Sequence, residues 1–246
     1  MTTKYKTQAI IFEKNNINEF DRIFSVFTNS FGKLDIFAKA IRKIPSKLRS
    51  GIDTFFLSEI EFVQGKSKKT LTDAVAIERF NNIFSDIEKL KVATNIREVL
   101  NKFIKGEERD SILFDLLIDS FYRLNSDNLK REKCNLVYYY FLWNTLSILG
   151  YHPEVNNCAG CHGKLMPDQV YFSGKDGGVI CAECVRVKKN YPELYRKINS
   201  DVVKILRIIL LKDWQTLFRL KIELSTEKLL LEISEDIISK FCPNNY

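Results

Sequence analysis

The sequence predicts an α+β chain in more than one part: a small closed β-barrel, a helical domain after it, and a cysteine-bearing ribbon inserted among the helices. Three observations predict this. Short β-branched and aromatic segments, several alternating by two, fill the stretch up to residue 79. From about Phe80 the apolar spacing lengthens to three and four. Two Cys-x-x-Cys pairs, Cys158/Cys161 and Cys181/Cys184, then stand nineteen residues apart between helical patterns.

Strands are expected over residues 7–13, 22–28, 33–39, 54–63 and 71–77. Asn29-Ser30-Phe31-Gly32 and the polar run 64–69 around Gly65 read as hairpin turns. Five strands in so short a stretch suit a closed barrel, and the OB-fold is the common five-stranded form. Its aromatics Phe24, Phe37 and Phe56 are expected in the core. Between the third and fourth strands, Lys39, Arg42, Lys43, Lys47 and Arg49 share a loop that contains no acidic residue. Such a loop can follow a phosphate backbone, each cation releasing condensed counterions. It can equally be a solvated loop that aids solubility. Lys66, Lys68 and Lys69 are placed to extend the same field or to form an ordinary charged turn.

One amphipathic helix, with room for breaks, is expected from Phe80 to Ile104 and ends before Gly106. A second spans about 112–124, capped by Asp110 or Ser111. A third runs over 131–149 and stops at Gly150. It carries Tyr138, Tyr139, Tyr140, Phe141 and Trp143, most of which should pack inward. Two further helices, over 201–212 and 226–241, need partners for their apolar faces and are expected to close the same bundle. The resulting division is 1–79 for a barrel domain, 80–150 with 190–246 for a helical domain, and 151–189 for the inserted ribbon.

The cysteine spacing is that of a zinc ribbon, since a two-residue gap lets both thiolates of a knuckle face one tetrahedral ion. Zn²⁺ is therefore expected on Cys158, Cys161, Cys181 and Cys184, with Gly160 and Gly163 supplying positive backbone dihedrals. Tyr171-Phe172 and Val179-Ile180 would form a hairpin joining the knuckles. Disulfides or buried thiols are the bland alternative; with no secretory signal at the N-terminus, a reducing compartment and hence metal are expected. Four thiolates close the sphere, so the ion is expected to be structural, and His162 a surface side chain. His152-Pro153-Glu154 ahead of Cys158 superficially resembles the signature of zinc nucleobase deaminases. Three residues between Glu154 and Cys158 leave no room to place the two halves on separate helices. Arg186, Lys188 and Lys189 form a basic cluster at the ribbon edge, and Cys134 and Cys242 read as buried or half-buried thiols.

The chain has 246 residues, 45% of them apolar, enough for one large unit or two to three small ones. No apolar run reaches membrane-spanning length, so no membrane role is expected. Lys and Arg number 38 against 31 acidic residues, a net charge of +7 that suits a polyanionic partner.

The order of parts and several stretches resemble the RecO family of bacterial recombination-mediator proteins. The stretches are Thr7-Gln-Ala-Ile-Ile, Asn18-Glu-Phe-Asp-Arg-Ile, Leu149-Gly-Tyr-His-Pro153, and Phe172-Ser173 with Gly177-Gly-Val-Ile-Cys181. This chain departs by Asn18 where members commonly have Gly, and by Ala40 and Ile41 where glycine is frequent in the basic loop. The resemblance implies an OB-fold that binds single- and double-stranded DNA, anneals complementary strands and helps load recombinase onto DNA coated by single-strand-binding protein. It implies RecR and the acidic tail of single-strand-binding protein as partners, RecF as a further candidate, and a bacterial cytoplasmic, nucleoid-associated location without catalysis. It makes Lys39, Arg42, Lys43, Lys47 and Arg49 the DNA contacts. The competing readings are an RNA-binding or protein-interaction scaffold and, less well supported, a zinc-dependent hydrolase or deaminase.

Overall fold

The computed structural model describes residues 3–167, 169–188 and 194–241. The chain divides into two compact units, Met1–Cys134 and Asn135–Tyr246. In the first unit five strands, β1 (Lys4–Asn16), β2 (Arg22–Thr28), β3 (Gly32–Ala38), β4 (Leu57–Gln64) and β5 (Lys69–Glu78), close a barrel in the order β1-β2-β3-β5-β4. That is the five-stranded barrel expected of an OB-fold. Alternation by two decides what fills it: Ala9 and Ile11, Phe24 and Val26, Leu34, Ile36 and Ala38 turn inward with Ile60 and Phe62. Residues 54–56, expected in β4, lie outside it because Phe55 adopts a left-handed backbone (φ 61°) while its N–H bonds to the Ile11 carbonyl.

The barrel is apolar on part of its outer face as well. Ile10 and Phe27 face each other across β1 and β2, both buried yet outside the barrel core. Three helices, α1 (Asn81–Ser85), α2 (Ile87–Phe103) and α3 (Ser111–Asn125), belong to this unit. The Phe27 ring lies 6.1 Å from Phe114 of α3, and Phe55 and Phe80 lie 5.6 and 5.5 Å from Phe121. Aromatic pairs at such distances are each worth about 0.5–1.5 kcal/mol beyond their buried area. The helix expected over 80–104 is broken at Asp86, whose carboxylate accepts from the Glu88 and Lys89 N–H groups and so caps α2. Asp110 caps α3 in the same way.

Within the first unit α1 to α3 lie with the barrel, whose outward Phe27 they help to cover.

The second unit is built on α4 (Cys134–Ile148), which is buried almost all round, as a central helix must be. Tyr139, Tyr140, Phe141 and Trp143 are all at most 3% exposed, as expected of its aromatics. Trp143 donates its indole N–H to Ser234 (3.1 Å), and Asn144 donates to the Ile209 carbonyl (3.0 Å). These bonds tie α4 to α8 (Leu224–Phe241) and to α6 (Ser200–Leu210). The expected ribbon hairpin is β6 (Val170–Ser173) and β7 (Gly178–Cys181), with Phe172 opposite Val179.

Beside β6 runs β8 (Arg196–Ile198), beyond the ribbon boundary expected at 189. Arg196 clamps Asp236 (2.7 Å) and Glu232 (2.9 Å) of α8. Phe172 packs against Trp143 at 5.6 Å. The sheet thus shares a core with the helices around it. Neither β8 nor the short helices α5 (Ala182–Val187) and α7 (Trp214–Arg219) were expected, each having too few residues to display a period. Cys134 is buried; Cys242 and Lys189 lie outside the described residues.

Candidate metal centre and nucleic-acid interface

The β6–β7 hairpin brings the two knuckles together. The sulfurs of Cys158, Cys161, Cys181 and Cys184 all lie within 4.8 Å of one another, with Cys158–Cys184 at 3.8 Å and Cys161–Cys181 at 3.9 Å. Four thiolates at about 2.3 Å from one tetrahedral ion would stand about 3.8 Å apart. The four sulfurs could hold a metal ion. Burial resists charge at Cys158, but the backbone N–H groups of Cys181, Cys161 and Gly160 outweigh it and draw the thiol down to about 6. Burial first, then the neighbouring thiols, push Cys181 and Cys184 upward.

The local backbone explains the knuckle. Cys158 N–H bonds to the Gly163 carbonyl and His162 N–H to the Cys158 carbonyl, at 2.9 and 2.8 Å. The positive dihedral expected at Gly160 and Gly163 falls instead on His162 (φ 60°), an exposed residue. Space is tight at Gly160, where a Cβ would sit 3.2 Å from the Cys184 sulfur, whereas at Gly163 the nearest contact, 3.4 Å from the Cys161 sulfur, is close to an ordinary one. Glu154, the would-be deaminase base, spends one carboxylate oxygen on the N–H groups of Asn156 (2.7 Å) and Asn157 (3.1 Å). Those two bonds hold it below the usual carboxylate range. At the ribbon edge Lys188 pairs with Asp176, which leaves Arg186 as the cation of that cluster without an ion pair among the described residues.

In the first unit the loop from Lys39 to Gly51 is pinned. Ile41 and Ile52 are buried in the barrel core and Leu48 packs against it, while residues 47–50 form a single 3₁₀ turn. Asp21 accepts from the Ala40 N–H (2.7 Å) and Asn18 Nδ2 (2.9 Å), and these bonds keep its carboxylate below the usual range. Arg42 donates to the Asn18 carbonyl at 3.0 Å. With its apolar side chains anchored, the loop turns Lys39, Arg42, Lys43, Lys47 and Arg49 outward; all five are exposed and, among the described residues, none forms an ion pair. Lys43 sits over the Phe20 ring at 4.9 Å, and Phe20 is itself 48% exposed.

A cleft of about 700 Å³ opens on the same unit, bounded by β2, β3, the β4–β5 turn and the segment after α2. Phe37 and Ile23, opposite each other in register, form part of its wall, and both are partly exposed. The Lys68 ammonium lies 3.5 Å from the Phe37 ring centroid, and Lys69 pairs with Glu107 at 2.5 Å. Of the three aromatics expected in the core, Phe24 is buried and Phe56 packs partly buried against the core, whereas Phe37 faces the cleft.

Two family models match the chain, Recombination protein O N terminal over residues 1–80 and Recombination protein O C terminal over residues 84–240. The chain belongs to the RecO family. A DNA repair protein RecO from Dehalococcoides mccartyi is 35% identical over 218 residues, covering 89% of this chain and 83% of that protein. One from Acetivibrio thermocellus is 29% identical over 241 residues, covering 98% and 93%. One from Thermoanaerobacter sp. is 30% identical over 217 residues, covering 88% and 84%.

The departures from the RecO pattern now have structural accounts. Asn18 does not adopt a left-handed backbone; its side chain accepts from the N–H groups of Phe20 and Asp21, both at 2.8 Å, and so builds the turn itself. Ala40 does adopt that backbone (φ 55°), where glycine is favoured, and its bond to Asp21 holds it there. The sequence reading missed Phe37, although its signal was present. If Leu34, Ile36 and Ala38 face inward, Phe37 must face outward.

Proposed function

We propose that this RecO family member is a DNA repair and recombination mediator that grips DNA by its phosphates and works by binding and strand exchange. The observation that carries this reading is the pinned loop with its five exposed cations, Lys39, Arg42, Lys43, Lys47 and Arg49, none of them in an ion pair among the described residues. Phosphate contacts of this kind are indifferent to sequence and serve single and double strands alike. Two strands held on a positive surface lose mutual repulsion, which promotes annealing. Family membership supports RecR, the acidic tail of single-strand-binding protein and RecF as partners, recombinase loading as the outcome, and a location on the bacterial nucleoid.

The test is fluorescence anisotropy of labelled single-stranded DNA across a salt series, with native protein and Arg42→Ala/Lys43→Ala/Lys47→Ala. Three lost phosphate contacts are expected to weaken binding and reduce the log–log salt slope by about two, at roughly 0.7 per contact on single strands. An unchanged slope would show that the loop does not follow the backbone. Equal affinity for RNA of the same length would favour the RNA-binding alternative.

For the cysteine cluster we assign structural Zn²⁺. The ion would be held by Cys158, Cys161, Cys181 and Cys184, where it supplies cross-linking of the two knuckles; four sulfurs leave no coordination position for a reacting water. Glu154 supports the knuckle backbone, so the protein has no catalytic base there. Glu154→Gln, which keeps an oxygen acceptor, is expected to leave annealing of complementary oligonucleotides at the native rate. A loss of more than about tenfold, about 1.4 kcal/mol in barrier, would reopen the enzymatic alternative.

A further inference from the structure

Phe37 is an aromatic side chain left partly exposed on a barrel strand, with a lysine instead of an apolar neighbour over its face. We propose that the cleft it lines is a stacking subsite for one unpaired nucleobase of single-stranded DNA. Phe37 provides the platform, and Lys68 provides a cation that leaves the ring as the base arrives and takes the adjoining phosphate. This inference rests on the DNA-binding reading above and gives that reading a means of favouring single strands.

Several observations converge on it. On its barrel side the cleft is bounded by Ile17 of the β1–β2 turn, by Ile23 and Phe37 on β2 and β3, and by Lys68 of the β4–β5 turn, with the segment after α2 as its other wall. Those barrel elements are the ones on which OB-folds seat oligonucleotides. Its volume of about 700 Å³ lies inside the roughly 300–1,000 Å³ range of small-molecule sites.

The charges suit a nucleotide. Lys33, Lys68 and Lys105 line the cleft without an ion-pair partner among the described residues. Its two carboxylates are engaged: Asp35 accepts from Ser25 at 2.6 Å, and Glu107 pairs with Lys69. An ammonium over an exposed ring is a weak and displaceable cover. A base presents a π-face of its own and leaves the ammonium free for phosphate. A paired base is stacked above and below within the duplex, so a single strand is the occupant that can supply one.

The experiment compares a natural single-stranded oligonucleotide with an abasic one of equal length and charge, using native protein, Phe37→Leu and Phe37→Tyr. Native protein and Phe37→Tyr are expected to prefer the natural strand. Phe37→Leu, which keeps an apolar side chain of similar bulk but removes the π-face, is expected to lose roughly 5- to 150-fold on the natural strand. Its salt slope should match the native one, since no phosphate contact is removed. If Phe37→Leu keeps the native preference for bases, or Phe37→Tyr loses it, the subsite is wrong while the phosphate loop stands. If native protein binds neither strand, the DNA-binding reading falls and the subsite falls with it.

Discussion

Cys158→Ser is expected to strip the metal from the purified protein and to melt the sheet formed by β6, β7 and β8. Structural zinc in small ribbons contributes about 10–16 kcal/mol of apparent binding free energy, as much as the roughly 5–15 kcal/mol that stabilises a whole domain. Cys158 is the buried member of the four, and its sulfur accepts from the N–H groups of Gly160 (3.4 Å) and Cys181 (3.3 Å). Removing it would break the shell of the proposed ion and the turn together. The damage should extend past the ribbon, because Phe172 packs on Trp143 at the centre of the helical unit. Elemental analysis for zinc and near-ultraviolet circular dichroism of the tryptophan environment would record both losses. Native protein without stoichiometric metal, or a variant with the native melting curve, would remove the ion from the account.

Gly51→Ala carries the second large expectation. A Cβ at this position would lie 1.8 Å from the carbonyl oxygen of Ala74 on β5 and 2.4 Å from its carbon. Both are backbone atoms in a strand fixed by pairing to β4, so neither can turn aside. The Gly51 backbone itself is ordinary, at φ −93°, and strain in the dihedral plays no part. Overpacking that moves backbone costs about 3 kcal/mol or more, a fall in melting temperature of roughly 10 °C for a unit of this size. Gly106→Ala makes the control: no atom lies within 4 Å, and its φ of 90° exposes it to dihedral strain alone. Calorimetry of the two variants should show the larger loss at Gly51, with the basic loop that ends there losing DNA affinity in step. Equal melting temperatures would mean that the close approach to Ala74 is not maintained in solution.

Much of this architecture was legible because some physical requirements are written in spacing. A two-residue gap between cysteines encodes convergence of their thiols, so the knuckles and their hairpin could be read directly. Alternation by two encodes a barrel wall, and Gly150 (φ 92°) ends its helix as read. Other features depend on neighbours that no local window contains. Phe27 is an ordinary strand residue until α3 lays Phe114 across it, and only then do the early helices belong with the barrel. Gly160 looked like a turn glycine; its reason is the sulfur of a cysteine twenty-four residues later. For the basic loop, composition located the charge, but the burial of Ile41 and Ile52, which points the cations outward, is a tertiary fact.

The ring of strands is unequally fastened. Around the barrel, β4 and β5 share eight residue pairs, whereas β3 and β5 meet through two, Ile36 with Lys69 and Phe37 with Thr70. That junction is also the parallel one and joins segments more than thirty residues apart. The cylinder therefore has a clasp, and opening it costs the fewest hydrogen bonds of any seam. Phe37 sits on the clasp, so the wall beside it can part slightly while the other four seams stay shut.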